Sequence, residues 1–143
     1  MIALGSDHGG FALKQEIKTY LDKQGIPYRD FGTYSADSCD YPDYAKAACT
    51  GVLDGSCEKA LLFCGTGVGI CIAANKLKGI RAACCSDYYS AKYTRLHNDA
   101  NVLCLGGRVV GAGLACELVD VFLHTDFEGG ERHERRLQKI EQL

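Results

Sequence analysis

The segment that most constrains this chain is Ala60-Leu61-Leu62-Phe63-Cys64, apolar at every position and running straight into Gly65-Thr66-Gly67-Val68-Gly69. A strand with one wet face alternates apolar and polar side chains; an unbroken apolar run belongs to a strand covered on both faces. The run starts after Lys59, ends in a glycine-rich turn, and continues as a helix-like stretch to about Leu77. Strand, glycine turn and helix in that order is the repeating unit of a parallel α/β sheet.

The rest of the chain repeats the unit. Ile2–Ser6 is a short apolar strand closed by Gly9-Gly10. Phe11–Lys23 then sets Leu13, Ile17, Tyr20 and Leu21 on one helical face. Strands are expected at Ile26–Phe31, Ile80–Cys85 and Val102–Leu105, and helices at Tyr41–Leu53, Asp87–Leu96 and Gly111–His124. Asp40 is placed to cap the Tyr41 helix, with Pro42 in its first turn. Glu131–Leu143 reads as a charged amphipathic helix carrying Leu137 and Ile140. Strands joined by helices of this length imply right-handed parallel crossovers. The expected fold is α/β: one three-layer α/β/α Rossmann-like domain over residues 1–143, with a five-stranded parallel sheet.

Composition narrows the function. The 143 residues are 47% hydrophobic with a formal net charge of -2, enough apolar material for a core and no basic excess for a nucleic acid or an anionic membrane. No apolar run approaches a membrane span. The first residues become charged at Asp7, too early for a signal peptide. Nine cysteines is an odd number, and most sit inside apolar runs, as Cys71 and Cys104 do. That pattern suits reduced cysteine acting as a small hydrophobe, and a cytoplasmic location.

In such sheets ligands bind beyond the carboxyl ends of the strands. The segments to search are Ser6–Gly10, Cys64–Gly69, Cys85–Asp87 and Gly106–Arg108. The loop after Cys64 can aim backbone N–H groups at one point and stabilise an anion or a developing oxyanion. The same field favours a thiolate at Cys64. It is no Walker A loop, which requires a lysine, and a dinucleotide fingerprint fails because Ile70 stands at the third glycine position. Ile70 also stands where a tyrosine phosphatase loop has its arginine. On the loop alone, a packing turn with a buried cysteine and an anion site both remain open.

His8 follows Asp7 at the end of the first strand; the pair alone reads equally as a surface loop, and its place at the carboxyl edge of the sheet adds weight to ligand contact. His97-Asn98-Asp99 is expected between the fourth helix and the fifth strand, where a histidine also suits a helix C-terminus. His124 reads as a helix cap. Arg132 and Arg136 are four apart and share a helical face, so they can hold a phosphate or simply be solvated. Arg108 is a further cation at a strand end. No metal-ligand spacing is present, and proton transfer is expected rather than a metal-assisted hydride shift.

Together these segments resemble one family along essentially the whole chain: the ribose-5-phosphate isomerase B and galactose-6-phosphate isomerase group. The resemblance rests on Gly5-Ser6-Asp7-His8-Gly9-Gly10, Asp40-Tyr41-Pro42, Cys64-Gly65-Thr66-Gly67-Val68-Gly69-Ile70 and Ile72-Ala73-Ala74-Asn75-Lys76. It continues in Gly79-Ile80-Arg81-Ala82, Ser90-Ala91, His97-Asn98-Asp99-Ala100-Asn101, Arg108-Val109-Val110-Gly111 and Phe127-Glu128-Gly129-Gly130. It implies an aldose–ketose isomerase of carbohydrate metabolism, acting on ribose 5-phosphate in pentose phosphate metabolism through an enediol, without a cofactor. Cys64 matches the base that moves the proton between C2 and C1, His97 the acid that opens the furanose ring, and Thr66 a residue assisting proton movement on the oxygens. Gly65, Gly67, Val68 and Gly69 match the loop that stabilises the enediolate. Asp7, His8, Asn98, Arg108, Arg132 and Arg136 match substrate contacts, and the loops around Tyr41 and Arg108 would set sugar length. The resemblance further implies sheet order 2-1-3-5-4 and a homodimer or homotetramer. Its active sites are shared, with the C-terminal helix reaching a neighbouring subunit.

Two positions depart from the family pattern. Cys71 stands where a small residue, often serine, is common, and Glu131 adds a residue before Arg132. Asn75 offers no carboxylate as an alternative base, so the cysteine type fits. Competing readings are an isomerase of a six-carbon sugar phosphate (allose or galactose 6-phosphate), a non-catalytic phosphosugar-binding module, and a cysteine phosphatase, which Ile70 weakens.

Overall fold

In a computed structural model describing residues 1–143, strands and helices alternate from the first residues onward. The strands are β1 (Ile2–Ser6), β2 (Tyr28–Asp30), β3 (Lys59–Cys64), β4 (Ala82–Cys84) and β5 (Val102–Gly106). The helices are α1 (Phe11–Gln24), α2 (Tyr41–Leu53), α3 (Val68–Ala74), α4 (Tyr88–Asn98), α5 (Ala112–His124) and α6 (Glu131–Glu141). All neighbouring strands pair parallel, in the order β2-β1-β3-β5-β4. The expected fold class and strand order are both found.

The alternation of side chains along the strands builds two different cores. Leu4, Leu61, Phe63, Leu103 and Leu105 face α1, α4 and α5, where Leu13, Ile17, Leu118 and Phe122 meet them. Ala3, Ala60, Leu62, Cys64 and Cys104 face α2 and α3, against Ala45, Ala48, Cys49 and Ile70. One face is built from large side chains and the other mostly from small ones, so α2 and α3 sit close to the sheet. A Cβ at Gly5 would stand 2.9 Å from the Tyr44 carbonyl oxygen. All nine cysteines are free thiols, four of them in the small-residue core.

Several boundaries differ from expectation. The edge strands β2 and β4 are three residues each, shorter than Ile26–Phe31 and Ile80–Cys85. The amides of Ile26 and Ile80 turn back to Leu21 and Leu77 instead of joining the sheet. Helix α3 stops at Ala74, because Lys76 and Leu77 close tighter turns onto Ala73 and Ala74. The Asn75 amide then pairs both ways with Ala82, its Nδ2 donating to the carbonyl at 2.9 Å and its Oδ1 accepting from the N–H at 2.8 Å. Asp40 occupies the start of α2 as expected, but its side chain makes no capping bond. Helix α4 runs on through His97 and Asn98, and Asp99 ends it at φ 44°. These two site residues are therefore on a helix, not in the loop expected from sequence. No helix is long and apolar enough to cross a membrane.

Lys14 was not foreseen as a core residue. It is wholly buried on α1 and donates to Asp30 Oδ1 at 2.7 Å and to the Thr33 carbonyl. Burial pulls its pKa down, opposed by the Asp30 carboxylate. Burial pushes Asp30 up, but hydrogen bonds from Lys14, the Gly32 amide and Lys18 outweigh it and hold the carboxyl below its usual range. This ion pair pins residues 30–33 beside the end of β1, where the Ser6 N–H donates to the Gly32 carbonyl and the Thr33 N–H to the Ser6 carbonyl.

Candidate active site

The loops after β1, β3 and β5 interlock at one edge of the sheet. Asp7 donates its N–H to Phe63 O at 3.2 Å, Gly107 to Cys64 O at 2.8 Å and Arg108 to Gly65 O at 3.0 Å. Only glycine fits at position 10, since a Cβ there would lie 2.3 Å from the Phe63 carbonyl carbon. Gly67 has φ 81° and would carry a Cβ 2.9 Å from the Leu105 carbonyl carbon, so both its backbone angle and its surroundings demand glycine.

Cys64 is the last residue of β3, with 4% of its surface exposed. Its Sγ accepts the Gly67 N–H at 3.1 Å, and Thr66 Oγ1 accepts the Val68 N–H at 3.2 Å. The amides of Gly65, Thr66 and Gly69 donate to no protein acceptor. The loop thus holds unspent donors beside a fixed sulfur, as a site for a developing oxyanion requires.

A cleft of about 620 Å³ opens over this loop, lined by Asp7, His8, Tyr41, Gly65 and Arg108 among others. Buried Asp7 accepts the Gly10 N–H at 3.0 Å, which leaves its second oxygen for other partners. His8 Nδ1 accepts the Cys39 N–H at 3.3 Å, so in this state its other nitrogen carries the proton. The Tyr41 ring lies over Gly69, where a Cβ would stand 2.8 Å from Tyr41 Cζ. Arg108 bends over Gly65, its Nη1 2.9 Å from where a Cβ would be.

The remaining expected residues lie elsewhere on the same chain. His97 and Asn98 line a separate cleft of about 460 Å³ with Cys84, Tyr89 and Tyr93. Arg132 lines a third, shallow one of about 620 Å³ on α6. Arg132 and Arg136 are exposed and form no ion pair. Helix α6 lies against α4 of its own chain, with Glu141 Oε1 2.7 Å from Arg81 Nη1. A cavity of about 680 Å³ beneath it, lined by Arg81, Asn98 and Ile140, lacks Asp7, His8, Gly65 and Arg108.

His97 has surroundings that sequence reading missed. It stacks on His133 with centroids 4.3 Å apart and meets Tyr93 edge-on at 5.1 Å. Glu128 Oε1 is 3.3 Å from His97 Nε2 and 3.2 Å from His133 Nε2. The His133 nitrogen is buried and lies off the line of a hydrogen bond, so it has no hydrogen-bond partner. A signal for His133 existed: it falls in phase with Leu137 and Ile140 on the inner side of α6. These three ligand-type atoms lie within 4.8 Å of one another. A metal ion lies in the plane of each imidazole that binds it, however, and two stacked rings have no common plane. The cluster suits a carboxylate shared by two imidazoles. His124, expected to cap α5, bonds back to Asp120 on the same helix.

A parallel α/β sheet carrying a glycine loop, a fixed thiol and a polar, arginine-bearing cleft defines an enzyme for a small anionic substrate. Sequence comparison makes the class specific. The Ribose/Galactose Isomerase family profile matches residues 2–140. Ribose-5-phosphate isomerase B of Escherichia coli (strain K12) is 50% identical over 139 residues, 97% of this chain and 93% of that protein. A ribose 5-phosphate isomerase structure from Thermotoga maritima superposes with TM-score 0.97 at 51% identity, covering 99% of this chain and 97% of that one. The Mycoplasma genitalium ribose-5-phosphate isomerase B, solved with bound ribulose-5-phosphate, superposes with TM-score 0.93 at 42% identity, covering 99% and 93%. The chain belongs to the ribose/galactose isomerase family and is an aldose–ketose isomerase.

Proposed function

We propose that this chain interconverts ribose 5-phosphate and ribulose 5-phosphate through an enediolate, with Cys64 carrying the proton between C2 and C1. The observation that carries the reading is the Cys64 sulfur held at 3.1 Å by the Gly67 amide, in a loop with unspent N–H donors. The relatives support the substrate: the Escherichia coli enzyme at 50% identity is a ribose-5-phosphate isomerase, and the Mycoplasma genitalium structure holds the ketose product.

The proposed steps are these. His97 delivers a proton to the ring oxygen of the furanose, freeing the aldehyde. The Cys64 thiolate takes the proton from C2; the C–H electrons form the C1–C2 double bond, and the carbonyl electrons move onto O1. The free loop amides stabilise that oxyanion. Thr66 assists the proton shift from O2 to O1, and Cys64 returns its proton to C1 as the C2 carbonyl forms. Asp7, His8 and Tyr41 hold the hydroxyls, and Arg108 meets the phosphate.

His97, Asn98 and Arg132 line other clefts of the same chain, and Arg136 is exposed on α6. A second copy brings them to the Cys64 cleft, and the site is complete in a homodimer or an assembly of homodimers. The test is conversion of ribose 5-phosphate, with chelator present, by wild type, Cys64→Ala and His97→Asn. Cys64→Ala abolishes turnover of all substrates. His97→Asn slows the cyclic sugar far more than an acyclic aldose phosphate. Inert wild type would overturn the substrate; an active Cys64→Ala would overturn the base.

A further inference from the structure

His97, Glu128 and His133 gather outside the Cys64 cleft, brought together from α4, the segment after α5, and α6. We infer that Glu128 and His133 are positioning residues for opening of the sugar ring: Glu128 fixes which nitrogen of His97 meets the furanose, and His133 fixes the plane of the His97 ring. The inference rests on the reading of His97 as the ring-opening acid.

The chain is folded to hold Glu128 in place. Buried Arg95 on α4 donates from Nε to the Thr125 carbonyl at 3.0 Å, and the Glu128 N–H donates to the Leu96 carbonyl at 3.2 Å. Residues 125–128 are thus clamped along α4, with Glu128 tied by its backbone to the residue before His97. Gly129 and Gly130 follow at φ 74° and 96°, a turn that glycine makes without strain. It sends α6 back over α4, and buried His133 then lies face to face on His97, with 14° between the rings. Tyr93, four residues before His97, packs against it at 75° and is itself stacked on Tyr89 at 4.1 Å. The His97 ring is therefore packed from its own helix and from α6.

The carboxylate decides between the two ring nitrogens. Glu128 Oε1 stands 3.3 Å from His97 Nε2 and 3.2 Å from His133 Nε2. A carboxylate has no hydrogen to donate, and at this distance it repels a bare nitrogen lone pair. The hydrogen of a neutral His97 therefore sits on Nε2, and Nδ1 is the nitrogen left for the sugar. In the step itself the C1–O4 bond breaks with its electron pair on O4, which takes the Nδ1 proton. The C1 hydroxyl gives its proton to water as the carbonyl forms. His97 is left as the Nε2–H tautomer, the one that Glu128 selects.

The test compares turnover of ribose 5-phosphate with that of 4-deoxyribose 5-phosphate, which lacks the hydroxyl that closes the ring and needs no opening. In Glu128→Gln the carboxamide can donate as well as accept, so the tautomer is no longer fixed. Its kcat on ribose 5-phosphate is expected to fall about tenfold or more, and on the open sugar by less than about twofold. His133→Ala shows the same selective loss, and His133→Phe, which keeps a flat ring against His97, regains most of it. In a His97→Asn background Glu128→Gln costs nothing further. If His97→Asn slows both sugars alike, the ring-opening role of His97 falls and the inference with it. If His97→Asn is selective but Glu128→Gln slows both sugars alike, slows neither, or only raises KM for both, the inference alone is overturned, and the cluster does no more than hold α6 on α4.

Discussion

Replacing Lys14 by Met separates the buried ion pair from its surface neighbour. Lys14 is 0% exposed and bonds Asp30 and Thr33, whereas Lys18, 28% exposed at its side chain, holds the other Asp30 oxygen at 3.0 Å. Methionine keeps most of the packing volume but removes the charge and two donors. Breaking a buried pair on one side costs about 3–5 kcal/mol. Lys18 and the Gly32 amide remain on Asp30, which lowers the expected loss to about 2–4 kcal/mol. Lys18→Met, by contrast, removes a partly exposed contact and costs about 1 kcal/mol or less. At this chain length, a loss of about 3 kcal/mol lowers the melting temperature by about 6–12 °C. The sign with pH is defined. The Asp30 pKa is depressed in the fold, so its stabilisation is present above the unfolded carboxylate value of about 3.9 and is lost as pH falls through the folded value. The stability difference between wild type and Lys14→Met therefore narrows below about pH 4. Urea unfolding at pH 7 and at stepped acid pH reads both effects. A Lys14→Met loss no larger than that of Lys18→Met would refute the reasoning.

Gly10→Ala forces a Cβ to 2.3 Å from the Phe63 backbone, which cannot yield as a side chain can; a loss of about 3 kcal/mol or more is expected, read as poor soluble yield and early melting. Gly69→Ala meets the half-exposed Tyr41 ring at 2.8 Å; the ring swings outward, so KM for the sugar phosphate rises while the melting point changes little, and the KM effect disappears in a Tyr41→Ala background. Mixing Cys64→Ala subunits, inactive, with His97→Asn subunits, strongly slowed on the cyclic sugar, regains about a quarter of wild-type activity if a homodimer shares its sites, because half the dimers are mixed and each holds one intact site. No recovery after subunit exchange would place the whole site within one chain.

Sequence showed the sheet because both-face burial leaves an unbroken apolar signature, as in Ala60–Cys64. It showed the Cys64 loop because its glycines answer to backbone sterics. The edge strands were overrun because Ile26 and Ile80 are apolar but spend their amides on neighbouring turns, a choice periodicity does not record. The end of α4 was set short because Asp99 adopts φ 44° without a glycine to announce it. Lys14 was read past because a lysine four residues before another resembles a solvated face; only the fold brings Asp30 and Thr33 to its Nζ. The clustering of His97, Glu128 and His133 was out of reach for the same reason, since the packing of α6 on α4 joins residues far apart in sequence.

The small-residue face explains why site and core are one problem. Ala3, Ala60 and Cys64 on the strands and Ala45, Ala48 and Cys49 on α2 let two helices lie close to the sheet. That closeness sets the Tyr41 ring, at the start of α2, directly over Gly69 in the first turn of α3. It also sets the Cys84 sulfur against the Thr66 carbonyl and close to Gly67. A larger side chain on this face, even one wholly outside the cleft, must lift α2 or α3. Lifting α3 moves the Gly67 amide away from the Cys64 sulfur. Positions that look like ordinary core on this face therefore control the geometry of the thiol. Their equivalents on the opposite face, where Leu and Phe fill the space, pack against α1, α4 and α5 instead of α2 and α3.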